Sequence, residues 1–253
     1  MKRLLSLIYG VACYAVFFVT FLYAIGFVGN LVVPKSIDSP AEGSLAGALL
    51  IDLLLLAVFA VQHSVMARPG FKRAWTRIVP VHLERSTYVL FASLALILLF
   101  RFWQPIGGVV WDVQDPIGKA LLYGLFAFGW SLVLVTTFLI NHFDLFGLRQ
   151  VWLNFRGQRY TNVDFVMPGP YRLIRHPLYA GFICAMWPTP LMTITHLVFA
   201  IGTTAYILIA IQFEERDLAA ALGDSYKAYR RRVPMLVPRP KREDLTTETS
   251  TRA

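Results

Sequence analysis

The chain has 253 residues, 57% of them hydrophobic and only 15% charged, and 24 basic against 15 acidic side chains give a net charge of +9. Soluble domains carry about 25% charged residues. Here the charges avoid several long stretches, which leaves no room for a separate soluble domain and makes the basic surplus a property of loops facing anionic lipid rather than nucleic acid.

The first stretch, Leu4 to about Gly29, is free of charge and too long for a signal-peptide core, so it reads as a retained spanning helix. A second span runs from Leu45 to Met66, interrupted by Asp52. A third runs from Tyr88 to about Trp103, with Arg101 able to snorkel at its end. A fourth runs from Ala120 to Ile140. The fifth uncharged stretch, Leu178 to Phe213, exceeds one simple crossing. Pro188 and Pro190 divide it, because proline removes a backbone donor and disfavours helix before it. The expectation is a short helix from Leu178 to Trp187, a turn, then a full helix from about Met192 to Phe213. Whether the short piece spans or re-enters stays open.

The predicted fold is an all-α polytopic membrane protein with about five transmembrane helices, the last region a proline-split hairpin. Residues 1–240 form a single membrane domain and 241–253 a disordered polar tail. Between Asp144 and Asn162, Leu145, Leu148, Trp152 and Phe155 fall at helical spacing with arginines elsewhere, which predicts a cytoplasmic interfacial helix. Basic and non-basic loops alternate, with Arg68, Lys72, Arg73, Arg77 and Arg85 in one loop and Asp112, Asp115 and Lys119 in the next. Both termini are therefore expected in the cytoplasm, across a bacterial inner membrane. Cys13 and Cys184 both lie in apolar segments without metal spacing, so they read as buried thiols and no metal is expected.

Polar groups crowd the two ends of the last hairpin. One end carries Gly169-Pro170-Tyr171-Arg172-Leu173-Ile174-Arg175-His176-Pro177-Leu178-Tyr179-Ala180-Gly181. The other carries Glu214-Glu215, then Tyr226, Tyr229, Arg230, Val233 and Pro234. Ionisable groups at a membrane edge are expensive and mark function.

These residues resemble the isoprenylcysteine carboxyl methyltransferase and phospholipid methyltransferase superfamily, whose signature is Arg-His-Pro-x-Tyr-x-Gly, a Glu-Glu pair, and a tyrosine-rich stretch ending in Val-Pro. The match covers residues 165–238. The resemblance implies an S-adenosylmethionine site walled by the hairpin, lined by His176 and Tyr179. Glu214 and Glu215 would bind ribose hydroxyls or the ammonium group. Met167 and Gly169 would give backbone contacts, with Tyr171 nearby and Arg172 or Arg175 on the carboxylate. No Gly-x-Gly-x-x-Gly run supports a Rossmann site.

Asn141-His142-Phe143-Asp144-Leu145-Phe146-Gly147-Leu148-Arg149-Gln150 is similar to a segment of the bacterial methanethiol S-methyltransferases. So are Gln62-His63-Ser64 with Arg68-Pro69, and Glu84-Arg85 with Tyr88. This narrower resemblance implies methyl transfer to methanethiol, a small volatile thiol, giving dimethyl sulfide and S-adenosylhomocysteine. No protein partner is implied beyond the lipid bilayer. The thiolate is the nucleophile, and an alkyl thiol is a weaker acid than cysteine at about 8.5, so a base or cation nearby helps. Candidates are His63, His142, Asp144 and Arg149. His63 has a second reading, a structural hydrogen bond to Glu84 or a backbone carbonyl, and His142 a structural one too. Asp52 pairs with another helix or takes a direct role. His82 and His196 read as structural, and Trp75, Trp103, Trp111, Trp152 and Trp187 as an interfacial belt. Two alternatives remain: the same cofactor with a lipid or isoprenylcysteine-type acceptor, and a non-catalytic membrane protein of this fold.

Overall fold

The computed structural model describes residues 1–40, 43–161 and 169–238; Met167 and the tail at 241–253 lie outside the described residues. In chain order the elements are α1 (Lys2–Gly29), α2 (Leu45–Ala67), α3 (Pro69–Trp75), α4 (Val81–Phe102), β1 (Val109–Asp112), α5 (Pro116–Ile140), α6 (His142–Leu145), α7 (Leu148–Phe155), a 3-10 turn (Gly169–Arg172), α8 (Pro177–Met186), β2 (Leu191–Thr193), α9 (Ile194–Leu222) and α10 (Asp224–Arg232). Five of them, α1, α2, α4, α5 and α9, are long and apolar enough to cross a membrane. The protein is an all-α polytopic membrane protein.

Helix starts follow local chemistry. Ser44, Asp115 and Thr193 accept from backbone N–H groups of Gly47, Gly118 and His196, and Pro116 occupies the first turn of α5. Two boundaries differ from expectation. Helix α4 begins at Val81 rather than Tyr88, because Ser86 and Thr87 are buried inside the bundle and so are helical despite being polar. Helix α9 runs on to Leu222 rather than stopping at Phe213, carrying the acidic pair within a continuous helix.

Five crossings alone would leave the two ends of the chain on opposite faces. Helix α8 resolves the parity. Its ten residues rise about 15 Å, half of a roughly 30 Å hydrocarbon core. The chain then continues through Trp187–Pro190 to β2, which pairs antiparallel with β1 in the loop between α4 and α5. Val113 N donates to Pro190 O at 2.9 Å and Trp111 Nε1 to Thr189 O at 3.0 Å. The segment therefore reaches the β1–β2 end of the bundle as a half-helix plus an extended strand, and α9 returns.

Helix α8 packs on α5 with the backbones nearly touching. A Cβ on Gly129 would lie 2.5 Å from Ala185 N, and one on Gly181 would lie 2.9 Å from Val133 N. Small residues at both positions permit this approach, so the glycine closing the Arg-His-Pro-x-Tyr-x-Gly run is there for packing.

Phe27, Leu99, Phe100, Trp103, Phe126, Trp130 and Phe199 form one aromatic-rich core. Trp103 is fully buried within it, between Phe27 and Phe199, and so is not part of an interfacial belt. This core fills the half of the bundle holding β1 and β2. The other half carries most of the charge. Among the described residues, the β1–β2 end holds only Lys35, Arg101 and Lys119 as basic side chains, and the others cluster at the opposite, basic end. Arg3 beside Gly157, Ser6 with His82, and Arg68 with Asp217 tie the N-terminal turn, the α2–α4 loop and the end of α9 to that same basic end.

Candidate functional site

The basic end is built around Glu215, which is 3% exposed. Its Oε1 accepts from Arg175 Nε at 2.7 Å and His176 Nε2 at 3.0 Å, and Arg175's second guanidinium nitrogen lies 2.6 Å away. Its Oε2 lies 3.1 Å from Arg230 Nε. Arg175 also donates to the carbonyls of Arg230 and Val233. Backbone bonds from Arg175 N to Pro234 O and from His176 N to Met235 O complete the clasp. Tyr229 Oη donates to Tyr171 O at 2.7 Å. The start of α8, the middle of α9 and the segment after α10 thus close on one carboxylate. Burying so many charges is tolerable only because each is paired and hydrogen-bonded.

Glu214 and Glu215 are neighbours on a helix, and successive residues point about 100° apart. Glu215 turns inward to this clasp. Glu214 is half-buried on another face and lies within electrostatic range of the Tyr179 hydroxyl. Burial, and then the Glu214 charge, push the Tyr171 hydroxyl pKa well up. Burial, followed by the Glu215 charge, pushes Tyr226 up to about 12. Tyr226 is 1% exposed, and its hydroxyl has no hydrogen-bond partner among the described residues. Arg172 is exposed at the rim.

Deeper along the same hairpin, Tyr179 lies within electrostatic range of Tyr206 and Tyr88. Tyr206 Oη is 3.3 Å from Ser64 Oγ. Tyr88 Oη is 2.9 Å from His63 Nε2 and 3.4 Å from the His63 carbonyl oxygen. His63 Nδ1 is buried with no partner among the described residues, and the ring stacks on Phe59. The expected alternative partner Glu84 is not the one found. Helices α2, α4, α8 and α9 thus bring His63, Tyr88, Tyr206 and Tyr179 into one polar cluster continuing from the Glu214 side. Tyr206 was missed from sequence, although a hydroxyl two turns before Glu214 in an apolar span was a signal.

His142 lies elsewhere. It is 3% exposed. Thr137 Oγ1 donates to Leu134 O, so it must accept from His142 Nδ1, leaving Nε2 to accept from Tyr14 Oη, both at 2.8 Å. Both ring nitrogens are used, the ring stacks on Phe138 at 4.2 Å, and burial pushes its pKa down. Its partners come from α1 and α5, and it shares none with His63 or His176. Asp144 accepts from Arg149 at 2.9 Å and Tyr160 at 3.2 Å. Arg149 also holds the Thr161 carbonyl and hydroxyl. This cluster fixes the chain from Asp144 as far as Thr161, and Tyr160 and Tyr88 both lie near Arg85.

Asp52 is fully buried, but its Oδ1 accepts from Gln104 N at 2.8 Å. It therefore caps the end of α4 in the β1–β2 half, away from the site. Among the described residues no group of three or more His, Cys, Asp or Glu side chains could hold a metal ion.

No family model and no solved structure matches the chain. Among characterised proteins it is 58% identical over 242 residues to a protein of Mycobacterium tuberculosis named methanethiol S-methyltransferase, covering 96% of this chain and 99% of that one. It is 56% identical to a protein of the same name in Crocosphaera subtropica, covering 94% and 93%. A more distant relative is Nurim of Rattus norvegicus, 32% identical over 186 residues and 70% of each chain.

Proposed function

The chain belongs to the methanethiol S-methyltransferase family and is a membrane-embedded methyltransferase; from that premise we propose that it methylates methanethiol with S-adenosylmethionine as donor, at the basic end of the bundle. The observation that carries this reading is the convergence of the two hairpin ends, which sets a half-buried carboxylate, Glu214, within electrostatic range of the buried Tyr226 hydroxyl, itself without a partner among the described residues, with Arg172 exposed at the start of the hairpin.

Those groups fit the donor. A carboxylate takes ribose hydroxyls or an ammonium, an arginine takes a carboxylate, and an unsatisfied buried hydroxyl costs about 1–3 kcal/mol until a ligand engages it. In this reading Glu214, Tyr179, Tyr226, Tyr171, Arg172 and the segment with Met167 and Gly169 hold the donor. Glu215, Arg175 and His176 hold the pocket's wall rather than the ligand. When bound, S-adenosylmethionine supplies an electrophilic methyl group on a positively charged sulfur.

The residues of the deeper cluster deal with the thiol. Tyr88 can pass its hydrogen to the His63 carbonyl and accept from Nε2–H, which leaves the Nδ1 lone pair to take the thiol proton. The thiolate sulfur then bonds to the methyl carbon as that carbon's bond to the donor sulfur breaks, giving dimethyl sulfide and a neutral thioether. The proton on His63 leaves to solvent, which balances the reaction. Low water content around the cluster keeps the thiolate reactive. His142 and Asp144–Arg149 act on this scheme only by holding α6, α7 and the chain as far as Thr161.

The excess of basic residues supports an orientation with this end at the cytoplasmic face of a bacterial inner membrane. The test is headspace detection of dimethyl sulfide from purified protein supplied with both substrates. Wild-type protein should produce it, and Glu214→Gln should produce much less at limiting donor. A wild-type protein that binds S-adenosylhomocysteine yet methylates only an isoprenylated thiol or a lipid amine would replace the acceptor. No binding at all would remove the donor assignment.

A further inference from the structure

Four arginines at the basic end are paired. Arg175 and Arg230 meet Glu215, and Arg68 meets Asp217 at 2.8 Å. Arg149, the cation the sequence offers for a thiolate, is committed to Asp144 and Thr161. Arg85 differs from all four. Its side chain is partly buried, yet among the described residues no hydrogen bond or ion pair holds its guanidinium. A charge withdrawn from water without a partner is costly.

Its surroundings show what it faces. Arg85 and Tyr88 are three residues apart on α4 and so share a face. The guanidinium carbon lies 5.6 Å from the centre of the Tyr88 ring, a cation–π distance. At the far end of that ring, the Tyr88 hydroxyl is 2.9 Å from His63 Nε2, and the two ring centres are 5.1 Å apart. The cation thus stands one ring away from the base. His63 from α2, Lys72 from α3, Tyr88 itself and Tyr160 beyond α7 all lie in the field of Arg85. None of the four is an anion at neutral pH. Glu84 acts on Lys72 and Tyr88, and Arg68 opposes it at both. Burial, followed by the Arg85 charge, holds the Lys72 ammonium below its usual range. Positive charge is in excess beside the cluster where an anion has to form.

We propose that Arg85 is the counter-charge of the attacking thiolate, a residue that neither holds the donor nor takes the proton. The inference rests on methanethiol being the acceptor and His63 the base. A nearby cation favours loss of the thiol proton and disfavours its stay on the imidazole. The proton therefore passes through His63 to solvent, and the negative sulfur remains opposite the guanidinium. Arginine suits the task because it stays charged at every working pH. As the sulfur bonds to the methyl carbon and that carbon's bond to the donor sulfur breaks, the two opposite charges cancel. Dimethyl sulfide is then neutral, and Arg85 no longer retains it.

The test is dimethyl sulfide formation by purified full-length protein at saturating S-adenosylmethionine, with kcat/KM for methanethiol followed against pH. Arg85→Gln should lose about 10- to 100-fold at pH 7, the lower part of the roughly one- to three-unit shift that an opposite charge gives an acid. The loss should shrink as rising pH ionises the thiol in solution. Arg85→Lys keeps the charge and should regain most of the activity at pH 7. Both variants should bind S-adenosylhomocysteine as wild type does, by calorimetry. Arg73→Gln removes an exposed charge from α3 and should leave the profile in place. A loss in Arg85→Gln that is the same at every pH overturns the proposal. So do equal losses in Arg85→Gln and Arg85→Lys, or weakened S-adenosylhomocysteine binding in both, which would seat Arg85 on the donor. The underlying reading fails separately: wild-type protein would then bind S-adenosylhomocysteine and form no dimethyl sulfide at any pH.

Discussion

Replacing Glu215 by glutamine separates the two members of the acidic pair. The substitution keeps size and shape but removes the charge facing Arg175 and His176, which are 9% and 5% exposed. It leaves one carbonyl oxygen for three close donors and turns an amide N–H₂ toward a cation. Breaking a buried pair costs about 3–5 kcal/mol. The Arg230 contact adds little, because that side chain is half-exposed and surface pairs are worth about 0–1 kcal/mol. Against a total stability of about 5–15 kcal/mol, the loss should lower the melting temperature in detergent by about 10 °C. It should also speed cleavage at Arg230–Arg232, since Arg175 no longer clasps the carbonyls of Arg230 and Val233. Glu214→Gln should behave in the opposite way, with melting unchanged and S-adenosylhomocysteine affinity reduced about 10- to 100-fold. Tryptophan fluorescence melts and calorimetry on the two variants decide the matter. Wild-type melting of Glu215→Gln, or the same phenotype from both variants, would refute the division of roles.

Three other outcomes follow from the geometry. His63→Gln should lower kcat for methanethiol by about 10²–10⁴-fold with donor affinity intact, and Tyr88→Phe should lower it less; single-turnover assays separate chemistry from binding. Gly181→Val should destabilise by more than about 2 kcal/mol through its clash with the α5 backbone, seen as a lowered melting temperature. Asp38 tests linkage. Burial alone would raise its carboxyl pKa, but the nearby His196 ring and hydrogen bonds from Thr193 and Asn30 outweigh burial and hold it below the usual range. A lowered folded-state pKa stabilises above the unfolded value of about 3.9 and is lost as pH falls through the folded one. Asp38→Asn should therefore melt lower than wild type at pH 7, and the gap should narrow as pH falls below the unfolded value. A gap unchanged over that interval would show that Asp38 contributes no charge-dependent stability.

The spans were legible because a bilayer demands long apolar runs, and α1, α2 and α5 match their apolar stretches closely. The start of α4 was not, because Ser86 and Thr87 are polar yet buried where Ser86 meets the Gly147 carbonyl, and composition does not distinguish an inward polar face from a loop. The β1–β2 pairing was equally hidden: Val109 and Thr193 are far apart in sequence, and only the fold joins them. The residues that converge at the basic end were legible as a set from their motifs. Their separate duties were not, because the inward turn of Glu215 depends on the helix phase and on Arg175. His142 shows the same limit, since its partner Tyr14 lies 128 residues away.

The run of the chain from the basic end to the β1–β2 end and back, through α8, β2 and α9, is the step that makes one site possible. His176 and Glu215 can share a hydrogen bond at 3.0 Å only if the chain between them leaves the basic end and returns to it. Helix α8 alone is too short to do so, and a re-entrant loop would strand Leu191–Thr193 at mid-membrane, away from the β1 edge they pair with. The topology can be tested directly. In inside-out vesicles, Gln114→Cys beside β1 and Ser225→Cys on α10 should label from opposite sides, and Ser225→Cys should share its side with Lys2→Cys. If Ser225→Cys and Gln114→Cys label from the same side, the half-helix does not cross, and the hairpin cannot bring its two ends to one donor.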